Sequence, residues 1–200
     1  MTKFIVIEGL DGSGKSTVTK LFAERFTANG LPVHVTFEPT KSNPIGQLIQ
    51  SILSGQTRNI EPEAIALLFA ADRYQHVKNE VLPALEHSNV ICDRYYYSSM
   101  AYQGIDADNL ERVAAYNQAV IAAHKPDIVF FLNVTPDECI HRIEERGEEI
   151  SIFEKLPALE LRYTRYMAVI ERMKKTDNII MVGSNSASAE EIVDQMWQHL

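Results

Sequence analysis

The chain has 200 residues, 46% of them hydrophobic and 23% charged, a composition typical of one ordinary globular domain and unlike that of disordered or repeat proteins. The formal net charge of -8 argues against a general nucleic-acid binder, which normally carries a basic face. No apolar run approaches the roughly 20 residues of a membrane helix, and Met1 to Lys3 leads directly into a strand-like segment. We therefore expect a cytoplasmic protein that contacts neither membranes nor nucleic acid.

Strands and helices alternate along the sequence. Five β-branched or aromatic runs predict strands at 3–8, 33–37, 89–92, 128–134 and 179–182. The stretches between them repeat apolar residues at helical spacing and predict helices at 14–29, 44–54, 62–86, 108–123, 136–146, 154–175 and 188–199. Because the strand runs are nearly continuous in apolar residues, helices should cover both faces of the sheet. The pattern predicts an α/β protein with a three-layer doubly wound fold and a five-stranded parallel sheet.

Local signals mark several features. Thr135 and Pro136 should begin one helix, and "NG" at 29–30 should end the first. The cysteines Cys92 and Cys139 lack metal-ligand or disulfide spacing, so we expect buried thiols in a reducing compartment. No composition shift marks a second domain, so residues 1–200 should form one domain.

The segment "ERGEEISIFEK" at 145–155 is charged and is not a strand. It indicates either a lid around 142–155 or an ordinary solvated turn, and charge content alone favours the turn.

A phosphate-binding loop stands between the first strand and the first helix. Gly9, Gly14, Lys15 and Ser16 match the pattern G-x-x-x-x-G-K-[ST]. Glycines let successive N–H groups point inward, the lysine reaches the β and γ phosphates, and the serine can hold Mg²⁺. The chain should therefore bind a polyphosphate as a P-loop NTPase does, through Gly9, Gly12, Ser13, Gly14, Lys15, Ser16 and Thr17.

Two carboxylates lie near this loop. Asp11 is either a turn-forming residue or a group that approaches the metal or the acceptor phosphate. Asp93 ends the apolar run of the third strand, where P-loop proteins place a carboxylate beside Mg²⁺, and its alternative is a helix cap. Ser16, Asp93 and Asp11 are therefore the candidate metal residues.

A kinase needs a second pocket for an acceptor, and two stretches could supply one: "LLFAADRYQ" at 67–75 and "DRYYYSSMAYQG" at 93–104. Phe69 and Arg73 share a helix face and suit a nucleobase, although a core phenylalanine beside a surface arginine explains the spacing more simply. Arg94 could clamp an acceptor phosphate. Tyr102 and Gln103 add a hydroxyl and an amide.

These motifs resemble a known family. "FIVIEGLDGSGKST", "FEPT", "LLFAADR" and "DRYYYSSMAYQG", in this order and spacing, are similar to the thymidylate kinases, and "KPDIVFFLNVTPDE" extends the similarity over nearly the whole chain. The resemblance implies Mg²⁺-dependent transfer of the γ-phosphate of ATP to dTMP, giving dTDP for dTTP synthesis, and a homodimer. Core packing within one chain would explain the apolar helices equally well.

The resemblance also implies roles for individual residues. Glu38 and Pro39 match an acidic-proline pair in which a non-trans peptide is possible, Phe69 matches the ring that stacks on thymine, and Arg73 the group that bonds its O4. The other matches are Asp11 and Arg94 near the acceptor phosphate, Ser98 and Ser99 near the base, Tyr102 and Gln103 near the deoxyribose, and Glu154 after the lid.

One departure concerns the arginine that stabilises the transferring charge, which in this family comes from the P-loop or the lid. Gly12 follows Asp11, so the lid should supply it, yet Ser151 and Ile152 stand where basic residues are expected. Lys15, Arg94 and Asp11 are the other catalytic candidates. Arg142 and Arg146 are candidates for the missing arginine or for stacking on adenine, with Lys155 a weaker one.

Two other activities fit the same P-loop. One is a kinase for another acceptor, such as a deoxynucleoside or a different pyrimidine monophosphate, because stacking on Phe69 would tolerate any base. The other is a nucleotide-hydrolysing switch, which would leave the second pocket unexplained.

Overall fold

A computed structural model describes residues 1–104, 106–145 and 156–200 of the chain. Its single five-stranded sheet has the order β2-β3-β1-β4-β5, and all four neighbouring pairs are parallel. The strands are β1 (Phe4–Glu8), β2 (Val33–Phe37), β3 (Asn89–Asp93), β4 (Ile128–Leu132) and β5 (Ile179–Val182). The predicted five-stranded parallel α/β fold is confirmed.

Helices cover both faces of the sheet. Side chains of β1 alternate between two core clusters, with Phe4 and Val6 in one and Ile5 and Ile7 in the other, as expected for a strand buried on both faces. The helices are α1 (Lys15–Ala28), α2 (Pro44–Leu53), α3 (Pro62–His76), α4 (Leu82–Leu85), α5 (Tyr96–Gln103), α6 (Ala107–Tyr116), α7 (Gln118–Ala123), α8 (Pro136–Glu145), α9 (Leu156–Met173) and α10 (Ala189–Trp197).

Two helices predicted as continuous are interrupted. The helix predicted at 62–86 changes to a π-helical turn at Val77–Val81 before α4, next to Pro83, whose missing N–H and bulky ring disturb regular α-helical bonding. The helix predicted at 108–123 breaks at Asn117, whose backbone N–H bonds Ala114 O at 3.1 Å. The span predicted at 62–86 is helical as far as Leu85, although not α-helical throughout, whereas the prediction of a single helix at 108–123 was wrong at Asn117.

Helix α5 was missing from the predicted elements. Six of its eight residues are buried, so the segment lacks the polar face that an amphipathic period requires. Tyr95, Tyr96 and Tyr97 are at most 1% exposed and form part of the core.

The other local signals agree with the structure. Helix α8 begins at Pro136 after Thr135, and α1 ends at Ala28 before Gly30, which has a φ of 70°. Both cysteines are free and buried, and burial raises the pKa of the Cys139 thiol to about 12. Among the described residues, no helix is long and apolar enough to cross a membrane. Of the predicted lid, residues 146–155 lie outside the described residues.

Candidate active site

The phosphate loop connects the end of β1 to the start of α1. Gly14 precedes the helix with a φ of 90°, in the left-handed region where glycine is strain-free. Lys15 is 7% exposed, its Nζ donates to Leu10 O at 2.7 Å, and burial lowers its pKa. The loop lines a cavity of about 540 Å³, the donor cavity. Of the predicted nucleotide-binding residues, it brings together Gly12, Ser13, Gly14, Lys15, Ser16 and Thr17, and Gly9 stands at the base of the loop.

Oxygen ligands suited to a magnesium ion meet at the end of β3. Ser16 Oγ lies 3.4 Å from Asp93 Oδ2, and the buried Asp93 Oδ1 has no hydrogen-bond partner among the described residues. A hydroxyl and a carboxylate are ligands that Mg²⁺ prefers, and a buried carboxylate oxygen without a donor is one that a cation would satisfy. The N-cap position of α5 is occupied by Tyr95, which makes no side-chain cap hydrogen bond. Asp93 lies two residues before this position, so the alternative that Asp93 caps the helix is not supported.

A second cavity of about 600 Å³, the acceptor cavity, lies beside the first. It brings together Asp11, Glu38, Pro39, Phe69, Arg73, Arg94, Ser98, Ser99, Tyr102 and Gln103, which are all the acceptor-site residues predicted from the sequence except Glu154. Glu154 lies outside the described residues. Asp11 and Arg94 line both cavities. The peptide bond between Glu38 and Pro39 is cis.

The inner end of the acceptor cavity is built around Arg73. This residue is 1% exposed, so its alternative as a surface arginine is wrong. Its Nε donates to Glu38 Oε2 at 2.5 Å, its Nη1 to Asn117 Oδ1 at 2.6 Å, and its Nη2 to Ser99 Oγ at 3.1 Å and Tyr95 O at 3.3 Å. A guanidinium has five N–H donors, so these bonds fix its plane and leave one donor on Nη1 for a ligand.

The outer end is built around Arg94, a non-glycine residue with a φ of 70°. Its Nη2 donates to Asp11 Oδ1, and its Nη1 lies 3.2 Å from Ser98 Oγ and 3.3 Å from Tyr166 OH. Left-handed backbone at such a residue costs about 1 to 3 kcal/mol and collects at functional sites. The surrounding bonds therefore hold Arg94 in a position that the backbone alone disfavours.

The Asp11 carboxylate lies at the same outer end of the acceptor cavity as Arg94. Tyr102 OH donates to Asp11 Oδ2 at 2.8 Å. Burial alone would raise the pKa of Asp11, but the charges of Arg94 and Lys15 outweigh burial and hold this pKa well below its usual range. Asp11 is therefore an ionised carboxylate between the two cavities, which favours the functional alternative over a simple turn residue.

Several residues near these cavities were missed from the sequence. Glu8 is 1% exposed and accepts hydrogen bonds from Tyr95 N at 2.8 Å, Ser98 Oγ at 2.6 Å and Tyr166 OH at 2.9 Å. Burial raises the pKa of Glu8. The available signal was a carboxylate at the end of an otherwise apolar strand. Asn117 lies between α6 and α7, and Tyr166 and Arg162 lie on α9; none of the three gave such a signal.

Arg142 on α8 lies against the phosphate loop. Its Nη1 is 3.4 Å from Ser13 O, its Nη2 donates to Asn185 O at 3.1 Å, and its Nε donates to Glu138 Oε1 at 2.7 Å. It lines the donor cavity together with Ala187 and Ile192. Arg146 and Lys155, the other two basic candidates, lie outside the described residues.

A buried cluster of possible metal ligands lies behind Arg73. Ligating atoms of Glu38, His76 and Cys92 are within 4.8 Å of one another. Glu38 already accepts hydrogen bonds from Arg73 and His76, and Cys92 Sγ contacts Arg94 O at 3.1 Å. Because the hydrogen-bonding capacity of these groups is met by protein partners, we interpret the cluster as a network that supports Arg73.

Comparisons with known proteins show which family the chain resembles. A family model described as thymidylate kinase matches residues 7–196. A probable thymidylate kinase of Methanococcus aeolicus is 41% identical over 202 aligned positions, which cover 100% of this chain and 96% of that protein. Probable thymidylate kinases of Pyrococcus abyssi (41% identical, covering 95% of this chain and 93% of that protein) and Thermococcus kodakarensis (42% identical, covering 86% and 87%) are similar to the chain as well.

Proposed function

This chain belongs to the thymidylate kinase family, and we propose that its two cavities hold ATP and dTMP with the transferring phosphate between them. It is a kinase, and the reaction of its family is the phosphorylation of dTMP to dTDP. The observation that carries the assignment is that Asp11 and Arg94 line both cavities. A phosphate of either nucleotide would meet the same two side chains.

The donor cavity suits the triphosphate of ATP. Backbone N–H groups of the loop and the N-terminus of α1 favour an anion, and Lys15 would exchange its bond to Leu10 O for the β and γ phosphates. Ser16 and Asp93 would hold Mg²⁺, which supplies charge neutralisation at the phosphates when it is bound. Arg142, which donates to Glu138 and Asn185, would contact the nucleotide beyond the loop.

The acceptor cavity suits a pyrimidine monophosphate with a 4-oxo group. Phe69 offers an aromatic face, and the guanidinium of Arg73 can only donate hydrogen bonds, so it favours an acceptor atom on the base edge. Tyr102 lies beside Arg94 and donates to Asp11, and its ring would pack on the deoxyribose. At the outer end, Arg94 would clamp the phosphate.

Transfer then needs alignment and charge compensation more than proton abstraction. A phosphate monoester is largely ionised near neutral pH, so the attacking oxygen requires no strong general base. Lys15 and Arg94 supply positive charge, and Asp11 keeps Arg94 oriented through its hydrogen bond.

Acceptor preference tests this proposal. We expect ADP formation from ATP and Mg²⁺ to be fast with dTMP, slower with dUMP, and near background with dCMP, dGMP, AMP, thymidine or no acceptor. Arg94→Ala should lower turnover by two orders of magnitude or more, whereas Arg172→Ala, which removes a surface partner of Glu111, should not. A strong response to another acceptor, or equal activity without one, would contradict the assignment.

The metal assignment has its own test. Asp93→Asn should raise the Mg²⁺ concentration needed for half-maximal activity by about tenfold, because a carboxylate is a stronger ligand than an amide. An unchanged Mg²⁺ requirement would place the ion elsewhere.

We also propose a homodimer in the cytoplasm. Helix α3 exposes Leu67 (48% exposed) and Tyr74 (44%), apolar surface that a second copy would cover. Buried free cysteines are typical of a reducing compartment. Sedimentation of the wild-type protein and of Leu67→Glu tests the dimer: the charged variant should shift toward monomer.

A further inference from the structure

The positive charge around the shared phosphate position includes a residue that neither the P-loop nor the lid provides. The acceptor cavity is lined by three arginines, Arg73, Arg94 and Arg162, and by two carboxylates, Asp11 and Glu38. Arg73 donates to Glu38 and Arg94 to Asp11. Arg162, the third arginine of the lining among the described residues, comes from α9.

Arg162 packs against the ring of Tyr102, the residue that donates a hydrogen bond to Asp11. Its guanidinium carbon is 4.7 Å from the centroid of the Tyr102 ring, and that of Arg94 is 5.2 Å from the same centroid. The hydroxyl of that ring donates to Asp11 Oδ2 at 2.8 Å. Two guanidiniums therefore stack on one tyrosine at the end of the cavity where the acceptor phosphate belongs.

Electrostatics place Arg162 near the same point. Burial raises the pKa of Asp11, and the opposing charges that lower it are those of Arg94, Lys15 and Arg162. Like charges already face one another here, because burial and the charge of Arg94 lower the pKa of Lys15. Clustered cations cost free energy until an anion enters, and a phosphate monoester dianion would offset this repulsion.

From this arrangement we propose that Arg162 is a second acceptor-phosphate residue, which contacts the phosphate of the bound monophosphate from α9 while Arg94 contacts it from the position directly after β3. This inference rests on the proposed function, since it takes the acceptor cavity as the monophosphate site. The P-loop has Gly12 after Asp11, and residues 151–155 contain no arginine, so neither segment supplies this positive charge. Arg162 would supply it instead. Stacking on the Tyr102 ring is compatible with a phosphate contact, because the cation–π attraction leaves the N–H groups of the guanidinium able to donate to an anion.

Comparing dTMP with thymidine isolates the phosphate contact. Calorimetric titration of Arg162→Ala should show dTMP binding weakened by about tenfold to hundredfold, the effect of losing a charge-assisted hydrogen bond. Thymidine, which has the same base and sugar without the phosphate, should bind wild type and variant within about twofold. Arg162→Lys should recover part of the dTMP affinity, since it retains the charge but not the planar fork.

Arg165→Ala is the matched control. It removes an arginine from the same helix that does not line the acceptor cavity, so dTMP affinity should stay within about threefold of wild type. Melting temperatures of all three variants within a few degrees of wild type would show that α9 remains folded.

Two results would overturn the inference. If Arg162→Ala weakens thymidine as much as dTMP, Arg162 only positions Tyr102; if dTMP binding is unchanged, it does not reach the phosphate. Both outcomes differ from failure of the proposed function, in which wild-type protein would neither bind nor phosphorylate dTMP.

Discussion

Arg73 Nε donates to Glu38 Oε2 at 2.5 Å, and each side chain is only 2% exposed. The pair joins α3 to the segment after β2 directly beneath the acceptor cavity. A buried ion pair is weak support for stability compared with an apolar pair, but removing one partner leaves an uncompensated buried charge. Arg73 therefore depends on Glu38 both to stay buried and to stay oriented.

Glu38→Gln should lower the free energy of unfolding by about 3 kcal/mol, because it leaves the Arg73 charge without a counter-ion. Urea denaturation measures this change. Asp194→Asn is the control: it removes the partner of Arg25 in a pair whose side chains are 34% and 59% exposed, and it should cost less than about 1 kcal/mol. Similar small losses for both variants would contradict a supporting role for Glu38.

His76 makes the same network depend on pH. Its Nδ1 lies 3.0 Å from Glu38 Oε1. Burial lowers the pKa of His76, but its hydrogen bond to Glu38 and the charges of Glu38, Glu80 and Asp72 outweigh burial and raise this pKa above its ordinary value. A raised histidine pKa adds stability that is fully present below the unfolded-state pKa of about 6.5 and is lost as the pH rises through the folded-state pKa.

The melting-temperature difference between wild type and His76→Gln should therefore be largest near about pH 6 and should shrink toward about pH 9. Calorimetric scans across this range measure it. In a Glu38→Gln background the pH dependence of the difference should largely disappear, because the main partner of the imidazole is gone. A difference that is constant with pH would show that folding does not shift the pKa of His76, and one that shrinks toward low pH would show that His76 is held neutral in the folded protein.

The sequence predicts well those elements whose conformation is determined by neighbouring residues in the chain. Strand β1 and the phosphate loop follow from a continuous apolar run and from glycine spacing, and the structure places both as expected. Arg94, Tyr102 and Gln103 were candidates from their position after the third strand, but the roles of most acceptor residues came from the family resemblance. Spacing alone favoured a surface Arg73, and only the fold brings Glu38 and Asn117 to it, across 35 and 44 positions of the chain.

The missed residues share a physical reason. Tyr166 OH donates to Glu8 Oε2 at 2.9 Å although 158 positions separate the two residues. Tyr166 sits on an ordinary helical period, and its role depends on where α9 packs against α5. Helix α5 was missed because burial on all sides removes the periodic pattern on which helix prediction relies.

Asn117 should control how Arg73 recognises the base. Asn117→Leu keeps similar volume but removes the acceptor of Arg73 Nη1, at 2.6 Å, and the donor to Val113 O, at 2.8 Å. Losing these bonds should lower kcat/KM for dTMP by about tenfold, while activity on dCMP changes less, so the preference for dTMP falls. Steady-state kinetics on both acceptors measure the ratio.

Asn178→Leu is the control for this change, because Asn178 is exposed and its amide donates to Asp127 O at 3.3 Å, outside both cavities. It should leave the ratio of dTMP to dCMP activity unaltered. An Asn117→Leu enzyme with the wild-type ratio would show that the other three bonds of Arg73 are sufficient to orient it.

Gly12 links the phosphate loop to α8. Its φ is 83°, and a Cβ added there would lie 2.4 Å from the backbone oxygen of Cys139, a contact that backbone atoms can relieve only by moving the loop or the helix. Gly12→Ala should therefore weaken ATP binding by tenfold or more, measured by titration, and lower the melting temperature. Gly30→Ala separates backbone strain from the contact with α8. Gly30 has a φ of 70°, but nothing lies within 4 Å of the added Cβ. This variant therefore carries only the backbone strain of about 1 to 2 kcal/mol and should bind ATP normally. Equal ATP affinity in the two variants would mean that the contact with α8 does not shape the loop.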